Sequence, residues 1–389
     1  MKKIMQILPS LDHSGGGVEK GALDVAREIS VRGYRSLIVS SGGDMSEKYK
    51  HKGVIHINLQ LKKKNIFSFF NSRLRFRKIL NEFSPDIVHI RSRWPAFCLG
   101  RIIEENSIPF VTTYHGTYSG NDNFFKKKYN EVMTKGKKVI AISEFIYKHV
   151  IYHFPKTTKK IFLINRGIDL EYYNIKKVTQ FRKESFLKEF GIFESKHIIL
   201  LPGRLTPWKG HLVALEAAKI LRNLHPHLNF VMLFVGSDQG KKNYLMKLQK
   251  KVQQANLGQN IIMTGAISDM PAVYSLSDVV ISTSVEPEAF GRVSAEASSM
   301  MKPIISSDHG GSKNIIINNV TGWLIEKNNP EALAKKIYAI IKMPQSEKDY
   351  IGKKARERIR LYFSLKQMLD KTISLYENVI TEEKKSLNN

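Results

Sequence analysis

The 389-residue sequence lacks several features that would place it in common classes of protein. It has a single cysteine, Cys98, which excludes an intrachain disulfide framework and a cysteine-based zinc cluster. Its longest apolar runs, such as residues 230–235, are far shorter than the ~20 residues of a membrane-spanning helix. The apolar stretch at residues 4–8 is shorter than the core of a signal peptide. We therefore expect a cytoplasmic protein that meets a membrane, if at all, from one side.

Acidic residues are scarce beside basic ones. The chain has 35 Asp and Glu against 62 Lys and Arg, a formal net charge of +27. Residues 1–175 hold 30 basic and 15 acidic residues (+15), and the remaining 214 residues hold 32 and 20 (+12). A chain this basic attracts nucleic acid, anionic lipid or phosphorylated small molecules. Its 42% hydrophobic and 25% charged residues are ordinary for a globular protein and exclude a wholly disordered chain.

Short continuous apolar runs alternate with amphipathic segments along most of the chain. Continuous runs are typical of strands buried on both faces of a parallel sheet, and their alternation with helical segments predicts βαβ units. We predict twelve strands, near residues 4–8, 36–40, 86–90, 109–113, 138–142, 161–164, 197–201, 229–235, 261–264, 278–283, 303–306 and 322–325. Twelve strands are too many for one comfortable open sheet, so two sheets are predicted.

The break between the two sheets is predicted in residues 169–195, which are polar, rich in lysine and without a convincing strand. The predicted fold is α/β, with two facing doubly wound, Rossmann-like parallel-sheet domains over residues 1–172 and 173–360. Residues 361–389 are predicted to form a C-terminal helix that packs back on the first domain. Ligands of such sheets bind at the carboxyl ends of the strands. The loops that follow strands are therefore where chemistry is expected.

Three glycines, Gly15, Gly16 and Gly17, follow the first predicted strand and precede a predicted helix. Glycine lets a ligand approach the backbone closely, and a helix N-terminus favours an anion. The spacing matches neither GxGxxG nor the Walker motif, so it does not indicate a nicotinamide dinucleotide or an ATP site. A flexible turn before a helix is the alternative interpretation.

His115 directly follows another predicted strand, in the segment TTYHG. A neutral imidazole there can hydrogen-bond a ligand hydroxyl or a backbone carbonyl. The other eleven histidines show no HxH or HExxH spacing, so no metal site is predicted. A structural histidine satisfied by its neighbours is the commoner alternative, and only the position at a strand end favours a function.

Arg204 and Lys209 lie in GRLTPWKGH, after the first strand of the second half. Arginine presents a planar fork of donors and lysine a point charge, so two cations on one strand-end loop suit a diphosphate. An ordinary exposed pair of charges is the alternative.

Glu288 and Glu296 lie in EPEAFGRVSAEASSM, after the predicted strand at 278–283. Glu288 precedes Phe290 and Gly291, and Glu296 is expected about one turn into the helix that begins near Gly291. The helix N-terminus favours an anion, and carboxylates on either side could accept hydrogen bonds from a hexose and a ribose. Acids at a helix start would explain one glutamate but not the whole cluster.

Together these motifs resemble the family-4 retaining glycosyltransferases of the GT-B fold, in particular those of bacterial envelope polysaccharide and lipopolysaccharide synthesis. The resemblance covers nearly the whole chain. Its E-x7-E pattern, Glu288 and Glu296 around AFG, is the most specific motif, and Arg204 with Lys209 comes second. The matching segments are, in order, GGGVEK, VHIRSRWPAF, TTYHG, AISEFI, NRGID, GRLTPWKG, FVGSD, TGAISDMPAVYSLSDVVIST, EPEAFGRVSAEA, SDHGG and GWLI.

The resemblance implies a role for each matching residue. Two cations would neutralise the donor diphosphate in place of a metal, in agreement with the absence of an Asp-x-Asp motif, so neither a metal nor a cofactor is expected. The implied catalytic residues are His115, Arg204, Lys209 and Glu288. The implied donor-binding residues are Gly16, Gly17, Phe290, Gly291, Glu296, Gly310 and Gly311. Glu288 would hold the sugar hydroxyls, Glu296 those of the ribose, and His115 would contact the sugar from the acceptor side.

The implied reaction is transfer of a hexosyl group from a UDP- or GDP-sugar to a lipid-linked saccharide, with retention of anomeric configuration. Arg91, Arg93, Trp94 and Tyr118 are the candidates for the acceptor side, with core packing as the alternative for Trp94. Two other functions stay open. A nucleic-acid-binding protein is supported by charge alone, and a GT-B sugar-nucleotide epimerase shares the fold but not this run of motifs.

Basic residues beside aromatic ones predict a membrane contact in the first domain. Lysines 62, 63 and 64 and four cations between 73 and 78 surround Phe67, Phe69 and Phe70, and lysines 126, 127 and 128 follow Phe124 and Phe125. Cations next to aromatics suit an anionic bilayer surface. We expect a peripheral protein on the cytoplasmic face of the inner membrane, with no nucleic-acid partner. A lysine-rich composition on every surface is the alternative.

Overall fold

The computed structural model of the chain describes residues 1–12, 17–45, 53–118, 123–193 and 196–388. The chain forms two compact units. The first consists of Met1–Gly167 with Lys366–Asn389, and the second is Ile168–Leu365. The ranges expected from the sequence placed these boundaries after residues 172 and 360.

Two parallel sheets form the centres of the two units. The first sheet consists of Lys3–Ile7 (β1), Arg35–Ser40 (β2), Val54–Asn58 (β3), Ile87–Ile90 (β4), Phe110–Tyr114 (β5), Lys138–Ala141 (β6) and Ile161–Leu163 (β7). The second sheet consists of His197–Pro202 (β8), Phe230–Val235 (β9), Ile261–Gly265 (β10), Val279–Ser282 (β11), Ile304–Ser307 (β12) and Trp323–Ile325 (β13). The predicted fold class, two doubly wound Rossmann-like sheets, is confirmed.

The α-helices between the strands cover the sheets. They are Gly17–Val31 (α1), Ile66–Phe83 (α2), Arg93–Glu105 (α3), Phe124–Glu131 (α4), Glu144–His153 (α5), Gln180–Glu189 (α6), His211–Leu224 (α7), Lys242–Gln254 (α8), Met270–Leu276 (α9), Arg292–Ser299 (α10), Ser312–Ile315 (α11), Pro330–Lys342 (α12), Gln345–Tyr362 (α13) and Leu365–Asn388 (α14). In the part of the chain that the structure describes, no helix combines the length and the low polarity needed to cross a membrane.

The strand order places the functional loops. It is β3-β2-β1-β4-β5-β6-β7 in the first unit and β10-β9-β8-β11-β12-β13 in the second, with parallel pairing throughout the registers of both sheets. The winding direction reverses between β1 and β4, and again between β8 and β11. Ligands of open α/β sheets bind beyond the carboxyl ends of the strands at such a reversal. The sequence motifs follow these strands or their neighbours.

The sequence pattern missed strand β3. All twelve predicted strands are present, with their ends shifted by at most one residue. Strand β3, with the sequence VIHIN, lies at the sheet edge and pairs with β2. Its Val54 is buried and its Ile55 is exposed. An edge strand that faces solvent lacks the continuous apolar run by which the other strands were found.

Residues 168–193, predicted to hold the break between the sheets, contain no strand and pack within the second unit. The Tyr173 ring lies 6.0 Å from the Tyr274 ring on α9, and Arg182 Nε donates to Asp269 at 2.7 Å. These contacts explain why the unit begins at Ile168, ahead of the polar segment.

The C-terminal helix α14, apart from its first residue, belongs to the first unit. Its Tyr376 is fully buried and hydrogen-bonds His89 on β4. Tyr34, which precedes β2, donates to Glu377 of α14 at 2.6 Å. The helix thus closes one side of the first sheet through specific polar contacts as well as apolar packing.

Candidate functional site

Three loops of the second unit meet at the carboxyl edge of its sheet, beside the reversal between β8 and β11. Gly311, after β12, donates its N–H to the Glu288 carbonyl at 2.7 Å. Thr283, after β11, donates its hydroxyl to the carbonyls of Lys209 and Gly210 at 3.0 and 3.1 Å. These bonds join the loops that carry GRLTPWKG, EPEAFG and SDHGG into one surface.

The glycines predicted to bind the donor allow these loops to approach each other. A Cβ on Gly310 would lie 2.6 Å from the Glu288 carbonyl oxygen, and one on Gly311 would lie 2.4 Å from the Phe290 carbonyl oxygen. Gly291 has a φ of 87° and forms the N-cap of α10. The Phe290 side chain is buried, with its ring 6.1 Å from that of Phe363, so its backbone remains the part available to a ligand.

Lys209 and Glu288 form a buried ion pair. Lys209 lies in a short 3-10 turn, and its Nζ donates to Glu288 Oε1 at 2.7 Å, with the two side chains 12% and 9% exposed. Ser284 donates its hydroxyl to the same carboxylate oxygen at 2.6 Å. Burial alone would raise the pKa of Glu288, but the Lys209 charge and the lysine and serine hydrogen bonds outweigh it and hold that pKa below its usual range. Glu288 is therefore a carboxylate at neutral pH.

Trp208 connects the two predicted diphosphate-binding cations. Lys209 Nζ lies 4.5 Å from the centre of its ring, and the Arg204 guanidinium lies 5.9 Å from it. Arg204 is exposed and donates to Gln239 Oε1 at 3.2 Å, so its charge is available to a ligand at the loop surface. The structure thus brings Arg204 and Lys209 to one indole.

Glu296 lies in the second turn of α10 and is almost fully buried. Its Oε1 accepts from Arg292 Nε at 2.5 Å and its Oε2 from the Tyr274 hydroxyl at 2.9 Å. Each carboxylate oxygen can accept two hydrogen bonds, so capacity for a ligand hydroxyl remains. The sequence reasoning missed Arg292 and Tyr274. The i,i+4 spacing of Arg292 and Glu296 on one helix is the signal that could have found the first.

In the first unit, His115 lies directly after β5 and lines a small cavity of about 30 Å³ with His89, Arg91 and Arg166. Both of its ring nitrogens are buried without a hydrogen-bond partner. Burial, and then the charges of Arg166 and Arg91, hold its pKa well below the ordinary value of 6.5. The imidazole is therefore neutral at neutral pH, the form expected from the sequence.

Arg91, one of the acceptor-side candidates, lies inside the first unit. It is 5% exposed, and its Nε donates to Gln6 Oε1 on β1 at 2.7 Å. One guanidinium nitrogen, Nη2, has no hydrogen-bond partner. Arg91 directly follows β4, and its side chain lines the cavity that His115 also lines.

The other three acceptor-side candidates lie in one aromatic region. The Arg93 guanidinium is 4.0 Å from the centre of the Tyr118 ring, and its Nη1 donates to Asn130 Oδ1 at 2.6 Å. Trp94 stacks on Phe97 with ring centres 5.9 Å apart. Arg93 and Tyr118 are thus together, and Trp94 is half-buried among rings, so packing accounts for part of its role.

The glycine loop is described from Gly17 onwards, and Gly16 lies outside the described residues. Gly17 is the first residue of α1, and its carbonyl accepts a hydrogen bond from the Arg166 guanidinium. A Cβ on Gly17 would lie 2.8 Å from Arg166 Nη1, so glycine permits this close contact. Arg166, in the NRGID segment, is a residue that sequence reasoning did not single out.

Comparison with known proteins gives the family. The description "Glycosyltransferase Family 4" matches residues 15–172, and "Glycosyl transferases group 1" matches residues 182–358. A crystal structure of a glycosyltransferase from Rickettsia africae ESF-5 superposes with a TM-score of 0.89 at 34% identity, covering 97% of this chain and 98% of that one. The chain belongs to the family-4 glycosyltransferases of the GT-B fold.

Two further similar proteins are a structure that holds UDP and glucose and an N-acetylglucosaminetransferase of lipopolysaccharide. The Anabaena protein Alr3699/HepE, solved with UDP and glucose, shares the fold of this glycosyltransferase with a TM-score of 0.84 at 18% identity, over 97% of this chain and 100% of that one. The lipopolysaccharide 1,2-N-acetylglucosaminetransferase of Salmonella typhimurium is 27% identical over 235 residues, 59% of each chain. The family assignment favours a transferase over the epimerase and the nucleic-acid-binding alternatives.

A metal site in this glycosyltransferase would need several side chains with ligand atoms close together. Within the described ranges, no three His, Cys, Asp or Glu side chains converge on a point where they could hold a metal ion. The expectation of a metal-free reaction stays a prediction.

Proposed function

We propose that this glycosyltransferase moves a hexosyl group from a UDP- or GDP-sugar to a lipid-linked saccharide in envelope polysaccharide or lipopolysaccharide synthesis. In this proposal the reaction needs no metal and retains the anomeric configuration. The observation that carries it is the buried Lys209–Glu288 pair next to exposed Arg204, at the carboxyl edge of the second sheet. Arg204 and Lys209, both at the Trp208 ring, suit a diphosphate. The Glu288 carboxylate, which accepts from Lys209 and Ser284, suits a sugar hydroxyl.

The leaving diphosphate is the centre of the proposed chemistry. When the bond from the anomeric carbon to the phosphate oxygen breaks, negative charge accumulates on the diphosphate and positive charge on the sugar. Arg204, Lys209 and the N-terminus of α10 stabilise that negative charge, the kind of preorganised electrostatics that dominates many enzymes. The acceptor hydroxyl attacks the same face of the sugar, and its proton passes to the departing phosphate oxygen. No covalent bond to the enzyme forms.

Donor binding changes the partners of Lys209. Without a donor, its ammonium is paired with Glu288 at 2.7 Å. A diphosphate competes for that ammonium and leaves Glu288 Oε1 free to accept from the donor sugar. Glu296, already held by Arg292 and Tyr274, uses its remaining lone pairs for the ribose hydroxyls. The donor thus replaces one charge partner of Lys209 by another.

His115 is proposed to contact the donor sugar as a neutral imidazole. Its two unpartnered ring nitrogens supply one donor and one acceptor, which matches a sugar hydroxyl. The burial that lowers its pKa keeps it uncharged, so it does not repel the positive charge that develops at the anomeric carbon.

A thermal-shift screen against UDP- and GDP-sugars tests the donor. Since HepE was solved with UDP and glucose, UDP-glucose is the first donor to include. A donor present at about 100 times its Kd stabilises the folded protein by about 2.7 kcal/mol. Transfer of the labelled sugar to a lipid-linked saccharide extract then tests the acceptor. If no nucleotide sugar shifts the transition, while RNA binds with nanomolar affinity, the proposal fails.

A peripheral membrane contact in the first unit is part of the proposal. Exposed side chains on α2 and α4 include Phe67, Phe70, Leu74, Phe124 and Phe125. They lie beside the lysines at 62–64 and 126–128, and an apolar face bordered by cations suits an anionic bilayer surface.

Liposome flotation tests the membrane contact with a matched control. Phe67→Ser with Phe125→Ser should lower binding to anionic vesicles at least tenfold. Phe181→Ser changes an equally exposed phenylalanine of the second unit and should have no effect. Equal binding of the wild type to neutral and anionic vesicles would contradict this part of the proposal.

A further inference from the structure

An aromatic groove lies on the first unit along α3, between α2 and α4. Its volume is about 690 Å³, within the range of small-molecule sites. We call it the α3 groove. The side chains and backbone that define it are Phe70 and Arg73 of α2, Phe97 and Gly100 of α3, and Phe125 and Tyr129 of α4.

The α3 groove is apolar along its length and open to solvent. The Phe97 ring lies 6.0 Å from that of Phe69 and 5.6 Å from that of Tyr129, so one row of rings crosses from α2 to α4. Phe70, Phe97 and Phe125 are 63%, 48% and 80% exposed. Rings exposed to this extent in one concave surface favour a ligand with an apolar body.

Cations surround this apolar surface. Arg73, Arg101, Lys128 and Lys135 line the groove together with one acid, Glu131. Four positive charges against one negative give +3. A groove with an apolar floor and a cationic rim is complementary to a hydrocarbon chain that ends in a phosphate.

Gly100 leaves the middle of the groove open. It lies on α3, and a Cβ built there would meet no atom within 4 Å. Gly100 is buried and lines the groove, so a larger side chain at this position should take up part of the groove volume.

One end of the groove leads to the carboxyl edge of the first sheet. Helix α3 begins at Arg93, immediately after β4. The Arg93 guanidinium lies 5.5 Å from the Tyr129 ring of the groove and 4.0 Å from the Tyr118 ring, three residues after His115. A ligand in the groove can thus extend its polar end towards the strand ends where ligands of α/β sheets bind.

We propose that the α3 groove binds the hydrocarbon chain of a lipid phosphate, with the phosphate on the rim cations and its attached saccharide towards Arg93 and Tyr118. The inference rests on the proposed function in that the acceptor is lipid-linked. The exposed rings of α2 and α4 are continuous with the groove walls, so a chain can pass from a bilayer surface into the groove. In this proposal the groove binds one hydrocarbon chain, whereas the exposed rings of α2 and α4 contact the bilayer surface.

Quenching of tryptophan fluorescence by brominated dodecyl phosphate, below its micelle concentration, tests the proposal in the full-length protein. Trp94 lies 6.3 Å from Phe69 and 5.9 Å from Phe97, beside the groove, and Trp94→Phe identifies its share of the signal. Gly100→Leu should weaken binding at least tenfold, and Gly100→Ala should weaken it less. Gly258→Leu, at an exposed glycine of the second unit where a Cβ also meets no atom, is the control and should leave the affinity unchanged.

Three results would overturn the proposal. One is equal affinity of the wild type and Gly100→Leu for dodecyl phosphate. Another is equal binding of dodecyltrimethylammonium, since the rim cations should reject it. The third is a wild type that self-associates and a Gly100→Leu variant that does not, with lipid binding equal in both. That result would make the groove an interface between copies of the chain. Failure of the proposed function shows separately, as absence of a thermal shift with any nucleotide sugar.

Discussion

The two units hold their functional groups in opposite ways. In the second unit the charged groups are paired: Lys209 with Glu288, and Arg292 with Glu296. In the first unit Arg91 is buried and His115 half-buried, and Nη2 of Arg91 and both ring nitrogens of His115 are buried without a partner, while aromatic rings nearby face solvent. The buried charges of the second unit satisfy one another in the free protein. His115 and Arg91 of the first unit keep hydrogen-bonding capacity that no neighbour uses.

The largest expected difference concerns the buried ion pair of the second unit. Lys209→Ala leaves the Glu288 carboxylate buried without its ammonium, which costs about 3–5 kcal/mol of stability. The double variant Lys209→Met, Glu288→Gln removes both charges and should recover most of that loss. Urea unfolding, with hydrogen exchange to resolve the two units, measures the effect. A loss of stability in the first unit alone would contradict the comparison.

A smaller loss is expected at a glycine that joins the site loops. Gly210 has a φ of 73°, and a Cβ there would lie 1.9 Å from the Thr283 carbonyl oxygen. Gly210→Ala should therefore destabilise the second unit by about 3 kcal/mol through overpacking and an unfavourable φ. Gly258→Ala, where a Cβ meets no atom, is the control and should be close to neutral. Equal unfolding midpoints for the two variants would show that the loops do not need this contact.

The smallest expected effect is the dependence of stability on pH, which should differ between the two units. Burial holds the pKa of His89 and of His115 well below 6.5, so below that pH the unfolded chain binds protons that the folded one does not. The stability of the first unit should fall as pH drops from about 6.5, by about 1.4 kcal/mol per pH unit for each histidine. In the second unit burial lowers the pKa of His211 to about 4, and in the first unit it also lowers the pKa of the half-buried His149 to about 4. Among the described residues, the second unit thus has one such histidine against three and should show the smaller slope.

Hydrogen exchange at pH 7.5 and 5.5 checks this difference. The amides of the first sheet should lose more protection than those of the second. Equal losses in both sheets, or a greater loss in the second, would contradict the assigned burial of the histidines.

The sequence grouped the candidate residues of the second unit more completely than those of the first, for a physical reason. Arg204 and Lys209 lie within one loop, and Glu288 and Glu296 within another, so short spacings at strand ends were enough. The Tyr274 hydroxyl on Glu296 was missed because it comes from α9, 22 residues earlier in the chain. Strand periodicity predicted both sheets, but it missed β3, whose edge position breaks the apolar run.

In the first unit the relevant side chains come from separate helices. The groove rings lie on α2, α3 and α4, and only the packing of those helices brings Phe70, Phe97 and Phe125 together. Arg91, an acceptor-side candidate, donates to Gln6 on β1 and lines the cavity that His115 also lines, contacts that join residues far apart in the chain. Neither fact follows from local spacing. Gly16 lies outside the described residues, and its expected contact with the donor stays a prediction.

Sugar transfer by the double variant Arg204→Ala, Lys209→Ala tests the central claim most directly. At saturating donor, the account predicts a loss of at least ~100-fold, or about 2.7 kcal/mol of transition-state stabilisation, and a comparable loss for Glu296→Ala. Hydrogen exchange of the second unit's sheet, with its protection retained in the same samples, shows that the loss is not unfolding of the unit that carries the two substitutions. Full transfer activity in the double variant would contradict the assignment of the donor diphosphate to the second unit's cations.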